Sequence, residues 1–319
     1  MFTQYLTDGN QDSFCAIEKF TVKTMLPAIY SYSMTQSGMV FSRESTPSDR
    51  IYLDPDQEAL KNRLLEFVAS RGRYAELGFS HKRGYLLYGP PGAGKTTVLR
   101  SIIKDIIALN GVVIKLGYLQ EFPMAIQAIR EIEGNDKTIM VVCEDVEEKS
   151  DGTLTNVMDG MLSLDNVFFV MTTNNIAQVS GRIKNRPSRI DELLFVDYPS
   201  DEARRIYISN VVNSVKSVDP GFNIDTWIKL TDGLSIAHIK ELMIQVFVYR
   251  VDCSKLLDKF KAQCKKNLEL YGPDSINSEE LKQHIEQDGS IPEVAFKSIS
   301  ARRSEEVSTP NKFLEKKYQ

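Results

Sequence analysis

Apolar and polar positions alternate in four different ways along this chain. Residues 1–52 carry short runs of period two, such as Phe20-Thr21-Val22-Lys23 and Met39-Val40-Phe41, followed by the polar stretch 42–50. Alternation of that kind, closed by a Ser/Pro/Asp-rich break, predicts a small, partly β N-terminal element and a linker. From residue 53 the period changes. Asp54-Pro55-Asp56-Gln57 has the form of a helix start, and Leu60, Leu64, Leu65, Phe67 and Val68 recur at helical spacing. Five short apolar runs follow at 84–88, 112–116, 138–143, 167–171 and 193–196. Helical spacing separates them at 97–109, 124–132 and 153–162. Strands that alternate with helices predict an α/β unit over 53–199, with a five-stranded parallel sheet covered on both faces. Residues 200–272 show helical spacing only, at 201–215, 224–230 and 237–270, which predicts a separate all-α unit. The remainder, 273–319, is a polar tail with a charged run at 300–306.

Composition narrows the function classes only a little. In 319 residues, apolar side chains make up 42% and charged ones 26%, an ordinary globular balance. A net charge of −4 excludes a uniformly basic nucleic-acid coat, although Lys255, Lys259, Lys261, Lys265 and Lys266 gather on one late helix. The simplest account of that cluster is a solvated helix face. Cys15, Cys143, Cys253 and Cys264 are scattered, and no Cys or His pair has zinc spacing, so reduced thiols in a cytoplasmic compartment are expected. No secretory leader pattern is expected at the start, and no membrane span, since no run reaches about 18 apolar residues.

The chemistry concentrates where the first run ends. Gly89-Pro90-Pro91-Gly92-Ala93-Gly94-Lys95-Thr96 fills every fixed position of G-x-x-x-x-G-K-[ST], with an expected strand before it and an expected helix from Thr97. That context makes it a phosphate-binding loop. Glycines let backbone N–H groups turn inward, and the helix N-terminus adds its positive end. Lys95 is expected on the β- and γ-phosphates, and the Thr96 hydroxyl on Mg²⁺. The third run ends in Glu144-Asp145. By position Glu144 serves Mg²⁺ through water, and Asp145 polarises the attacking water. Asn174, or its rival Asn175, ends the fourth run where a polar group can orient that water if the first, third and fourth strands are neighbours. Arg186 and Arg189 flank a proline turn, and guanidinium groups there could stabilise phosphoryl charge, often from a neighbouring subunit.

Together these segments resemble the AAA family of ATPases over about residues 50–270. Arg186-Pro187-Ser188-Arg189-Ile190-Asp191 is similar to that family's R-P-G-R-x-D segment, which implies that Arg186 and Arg189 are arginine fingers and that Asn174 is the first sensor. Thr231-Asp232-Gly233-Leu234-Ser235-Ile236-Ala237-His238-Ile239 resembles the family's lid segment T-D-G-x-S-G-A-D-I, departing at Ile236 and His238. Residues 83–92, Glu144-Asp145-Val146, residues 154–160 and Met171-Thr172-Thr173-Asn174 resemble the branch of mitochondrial Rieske-protein translocases. The resemblance implies a P-loop NTPase fold with an all-α lid, ATP and Mg²⁺ as cofactors, and a ring of hexamer or heptamer size acting on a protein. Those translocases carry a membrane helix and a targeting segment, so a soluble, prokaryotic or viral relative is expected here. Gly117-Tyr118-Leu119-Gln120 is the nearest candidate for a pore loop, in reversed order. A nucleic-acid-linked loader and a slow, nucleotide-bound structural ring remain the alternatives.

Overall fold

The computed structural model describes residues 4–7, 14–17, 24–36, 38–45, 51, 53–146, 164–179, 189–214, 222–250 and 254–272. Strands β1 (Gln4–Thr7) and β2 (Phe14–Ile17) form an antiparallel ribbon. A second hairpin, β3 (Ile29–Thr35) and β4 (Gly38–Glu44), is followed by helices α1 (Pro55–Ala69) and α2 (Arg71–Glu76). The α/β layer then runs β5 (Lys82–Tyr88), α3 (Lys95–Ala108), β6 (Val112–Lys115), α4 (Phe122–Glu133), β7 (Ile139–Cys143), β8 (Val167–Thr173) and β9 (Glu192–Phe195). Four helices follow: α5 (Asp201–Ser214), α6 (Ile224–Leu230), α7 (Ile236–Met243) and α8 (Ser254–Tyr271).

The central sheet has the order β4-β3-β6-β7-β8-β5-β9. Its five parallel strands, β6, β7, β8, β5 and β9, are the five expected. The sheet is nevertheless seven-stranded, because the β3–β4 hairpin adds to its β6 edge: Ile29 pairs with Val113 and Tyr30 with Ile114. Period-two alternation gave no hint of this long-range pairing, since a hairpin reads the same whether it stands apart or extends a sheet.

Strand alternation sorts the core into two layers. Leu86, Tyr88, Ile114, Val141, Phe169 and Met171 face α4, where Phe122, Ala125, Ile126 and Ile129 meet them, joined by Tyr30 and Tyr32 of the hairpin. Tyr85, Leu87, Val113, Met140, Val142, Phe168 and Val170 face Leu60, Leu64 and Phe67 of α1 and Val98, Leu99, Ile102 and Ile106 of α3. Each such aliphatic side chain contributes about 1.5–3 kcal/mol on burial, so α3 is held firmly behind the loop that precedes it. Helix α1 begins where Asp54 Oδ1 accepts from the Gln57 N–H (2.7 Å) and Pro55 occupies the first turn.

Ile208, Ile228, Leu234, Ile239, Leu242, Met243 and Cys264 form the core of the all-α unit. The helical stretch expected over 237–270 is two helices. After α7 the backbone widens into a π-turn at Ile244–Val248, Arg250 takes a left-handed φ of 54°, and α8 starts afresh at Ser254. The β-branched side chains of Ile244, Val246 and Val248 lower the helix propensity of this segment, and Phe247 stacks on Trp227 at 5.5 Å. The expected helix over 153–162, the segment 154–160, Arg186 and the tail 273–319 lie outside the described residues. Among the described residues no helix is long and apolar enough to cross a membrane.

Candidate nucleotide site

Strand β5 ends at Tyr88, and the glycine loop leads directly into α3. Gly92 (φ 79°) and Gly94 (φ 105°) are left-handed, a conformation that costs an L-residue roughly 1–2 kcal/mol. Both also lie against other elements: a Cβ on Gly94 would stand 2.7 Å from Gln57 Nε2, and one on Gly92 would stand 2.8 Å from Ser235 Oγ. Lys95 is buried, and its Nζ donates to the carbonyls of Gly89 (2.7 Å) and Pro90 (3.0 Å). The lysine thus closes the loop on itself, with its charge held at the mouth of α3. Gln57 Nε2 donates to the Ala93 carbonyl (3.2 Å), so the first turn of α1 steadies the loop from outside. Burial raises the pKa of the α1 cap Asp54, and the neighbouring Asp56 and Glu202 add to the rise against the Gln57 N–H bond that opposes it.

Strand β8 lies between β5 and β7, the arrangement on which the role of Asn174 depended. Thr96 Oγ1 donates to Glu144 Oε2 (3.3 Å), and Asn174 Nδ2 donates to Asp145 Oδ1 (3.4 Å). Each carboxylate therefore has a different neighbour, as two separate roles require. Asp145 sits at φ 51°, and its N–H donates to Thr172 Oγ1 (3.3 Å). Asp and Asn are the side chains that best tolerate this region. The turn re-aims the second carboxylate from the strand end toward Asn174. Asn175 is committed elsewhere: its Oδ1 accepts from the Ala177 N–H (3.1 Å) and caps a short 3₁₀ turn. Thr96 and Glu144 offer hard oxygen donors side by side. Among the described residues no cluster of three His, Cys, Asp or Glu side chains could hold a metal alone. The Thr96–Glu144 pair fits Mg²⁺, which takes one or two protein oxygens and completes its shell with phosphates and water.

Arg189 is placed differently from the expectation. It is 2% exposed, and its carbonyl oxygen would stand 1.8 Å from a Cβ on Gly84, in the half of β5 away from the glycine loop. Asp191 fixes the same turn, accepting from the Gly84 N–H (2.7 Å) and donating its own N–H to the Gly84 carbonyl (2.8 Å). Tyr118 is 69% exposed in the loop after β6, and its carbonyl accepts from Tyr32 Oη (3.2 Å). The sequence pattern missed Gln57, Thr172 and Ser235. All three lay in segments the pattern picked out, but nothing local marks their approach to the loop or to Asp145.

The profile of the ATPase family associated with various cellular activities (AAA) matches residues 85–198, from β5 through the turn after β9. Over those residues the chain is similar to the AAA ATPase domain. A 26S proteasome regulatory subunit 6B homolog of Aspergillus niger is 26% identical over 242 residues, 69% of this chain and 56% of that protein. The ATPase family gene 2 protein of Saccharomyces cerevisiae is 25% identical over 264 residues, 73% of this chain and 32% of the relative. A proteasome-activating nucleotidase of Sulfurisphaera tokodaii is 24% identical over 224 residues, 60% of this chain and 57% of its own length. The chain therefore spans about half or less of the length of these curated relatives.

Proposed function

We propose that this AAA ATPase assembles into a ring of its own copies and uses ATP hydrolysis to remodel or move a protein. The observation that carries the hydrolytic half is the Asp145–Asn174 contact, one strand away from a loop closed by Lys95 and beside the Thr96–Glu144 pair. Lys95 exchanges its two carbonyl partners for phosphate oxygens, so its charge is delivered without building a new pocket. Asp145 accepts a hydrogen bond from the attacking water, and Asn174 fixes the direction of that carboxylate. Thr96 and Glu144 would hold Mg²⁺, which supplies charge neutralisation on the phosphate oxygens when bound. Arg186 is the arginine we assign to the neighbour's site. The Arg189 carbonyl lies against Gly84, and its side chain is buried.

The relatives whose names place them with proteasomes support a protein substrate. The finer assignment, to the Rieske-translocase type, rests on residues 83–92 and on the Glu144-Asp145 order. The loader alternative draws on the α8 lysines, of which Lys255, Lys259, Lys265 and Lys266 are exposed. Mass photometry of Asp145→Asn with ATP tests the proposal: a hexamer or heptamer that holds ATP without turning it over is expected. A monomer under every nucleotide condition would overturn the ring, and hydrolysis stimulated by DNA would turn the assignment toward the loader.

A further inference from the structure

Five residues connect the phosphate loop to the junction between the α/β layer and the helical unit. Ser235 has no exposed surface, and its Oγ touches the space beside Gly92. That oxygen accepts from the His238 N–H (3.3 Å) and lies 2.7 Å from His238 Nδ1. Cys264 of α8, 1% exposed, has its Sγ 3.3 Å from the same Nδ1. The His238 ring rests 4.6 Å from Phe260. Tyr198, between β9 and α5, packs on both the sheet core and the helical core. Its hydroxyl is buried beside Cys264 and Asn267.

The geometry contains a choice. A neutral imidazole that accepts at Nδ1 has one lone pair there, and two donors, the Ser235 O–H and the Cys264 S–H, lie within reach of it. Both cannot be satisfied together. If Ser235 holds Nδ1, the thiol gives it up. If Cys264 holds Nδ1, its sulfur can accept from the neighbouring Tyr198 hydroxyl, and Ser235 is released toward the phosphate loop. We propose that His238 is a positioning residue whose Nδ1 alternates between Ser235 and Cys264, so that the state of the phosphate loop is passed to Tyr198 at the inter-unit junction. Burial lowers the pKa of His238, which keeps the imidazole neutral near pH 7 and the lone pair available. The inference rests on nucleotide binding at residues 89–97 and not on ring assembly.

Dissociation of a fluorescent (mant) ADP tests this with Ser235→Ala, Cys264→Ala, Cys264→Ser and His238→Phe. Removing one donor hands Nδ1 to the other. Ser235→Ala and Cys264→Ala should therefore shift the dissociation rate in opposite directions, several-fold each. Cys264→Ser, a stronger donor in the same place, should follow Ser235→Ala. In the His238→Phe background both shifts should vanish. Packing alone would move all variants in one direction, additively, and would survive His238→Phe; either result overturns the relay. The unmodified protein gives a second check, because the ¹⁵N resonance of His238 Nδ1 should move when ADP binds, and an unchanged resonance refutes the proposal. Failure of the unmodified protein to bind the fluorescent ADP would instead remove the nucleotide site itself, and the relay with it.

Discussion

Thr172→Val isolates the backbone turn that aims Asp145. Thr172 is 3% exposed in β8, and valine keeps its shape, so the strand should pack as before. What disappears is the acceptor for the Asp145 N–H, 3.3 Å away. A net hydrogen bond is worth about 1 kcal/mol, and removing one partner can cost about 1–3 kcal/mol when the other is buried. Asp145 is exposed, so water can take over its N–H, and the lower figure applies. The left-handed φ of 51° is disfavoured by roughly 1–2 kcal/mol for an L-residue. Losing about 1 kcal/mol of its support lets the carboxylate relax away from Asn174 in most molecules. A difference of 1.4 kcal/mol is tenfold, so kcat should fall about fivefold. Affinity for ADP should not change, because no loop contact is touched. Phosphate release under saturating ATP, run beside a fluorescent-ADP titration, gives both numbers. Unchanged kcat in a folded variant, or a parallel loss of ADP affinity, would refute the assignment of Asp145 and of its support.

Lys95→Ala should abolish binding of a fluorescent ATP while the helical circular dichroism persists, since the helix backbone bonds are untouched; binding at the parental level would sink the loop assignment. Gly84→Ala should cost about 3 kcal/mol or more, read from the urea midpoint, because its Cβ would stand 1.8 Å from the Arg189 carbonyl and displace two hydrogen bonds to Asp191. A loss under about 1 kcal/mol would show that the arginine turn is not pinned to β5. Burial lowers the pKa of His81, whose Nε2 lies 2.7 Å from the Phe67 carbonyl. As pH falls below the ordinary histidine value of about 6.5, the unfolded chain gains a proton that the folded chain resists, so stability should drop. His81→Gln retains a donor for Phe67 and should flatten the fall in Tm between pH 7 and pH 5.5; an unchanged slope would assign that dependence elsewhere.

Local chemistry explains which parts were legible in the chain alone. The strand-loop-helix around Lys95 was, because phosphate binding demands glycines, lysine and threonine in fixed succession. The parallel strands were, because doubly buried strands are apolar throughout. Glu144, Asp145 and Asn174 were placed by their position at strand ends, and the order of β7, β8 and β5 brings them together. The hairpin's attachment to β6, the approach of Gln57 to Ala93, and the contact of Ser235 with Gly92 depend on pairs far apart in sequence, which periodicity does not encode. Arg189 shows the opposite limit. Its spacing from Arg186 was plain, but whether a guanidinium faces a neighbour or an interior is decided by tertiary packing.

The hairpin bears on how this chain could be trimmed. Residues 85–198 match the family profile, yet the sheet that supports them has its outer rim upstream. The Val113 N–H donates to the Ala28 carbonyl, and Lys137, enclosed with Glu133, donates to the Met25 carbonyl. Thr24 closes over the same ion pair through Glu133. A shortened protein starting at residue 53 would keep residues 89–97, Glu144, Asp145 and Asn174 and lose this cover. It would uncap the backbone of β6 and open a lysine–glutamate pair to water, leaving a bare strand rim as a template for sticking to other chains. The hydrogen-bonded cover of β6 therefore reaches back to residue 24, well ahead of the first residue that the proposed chemistry uses.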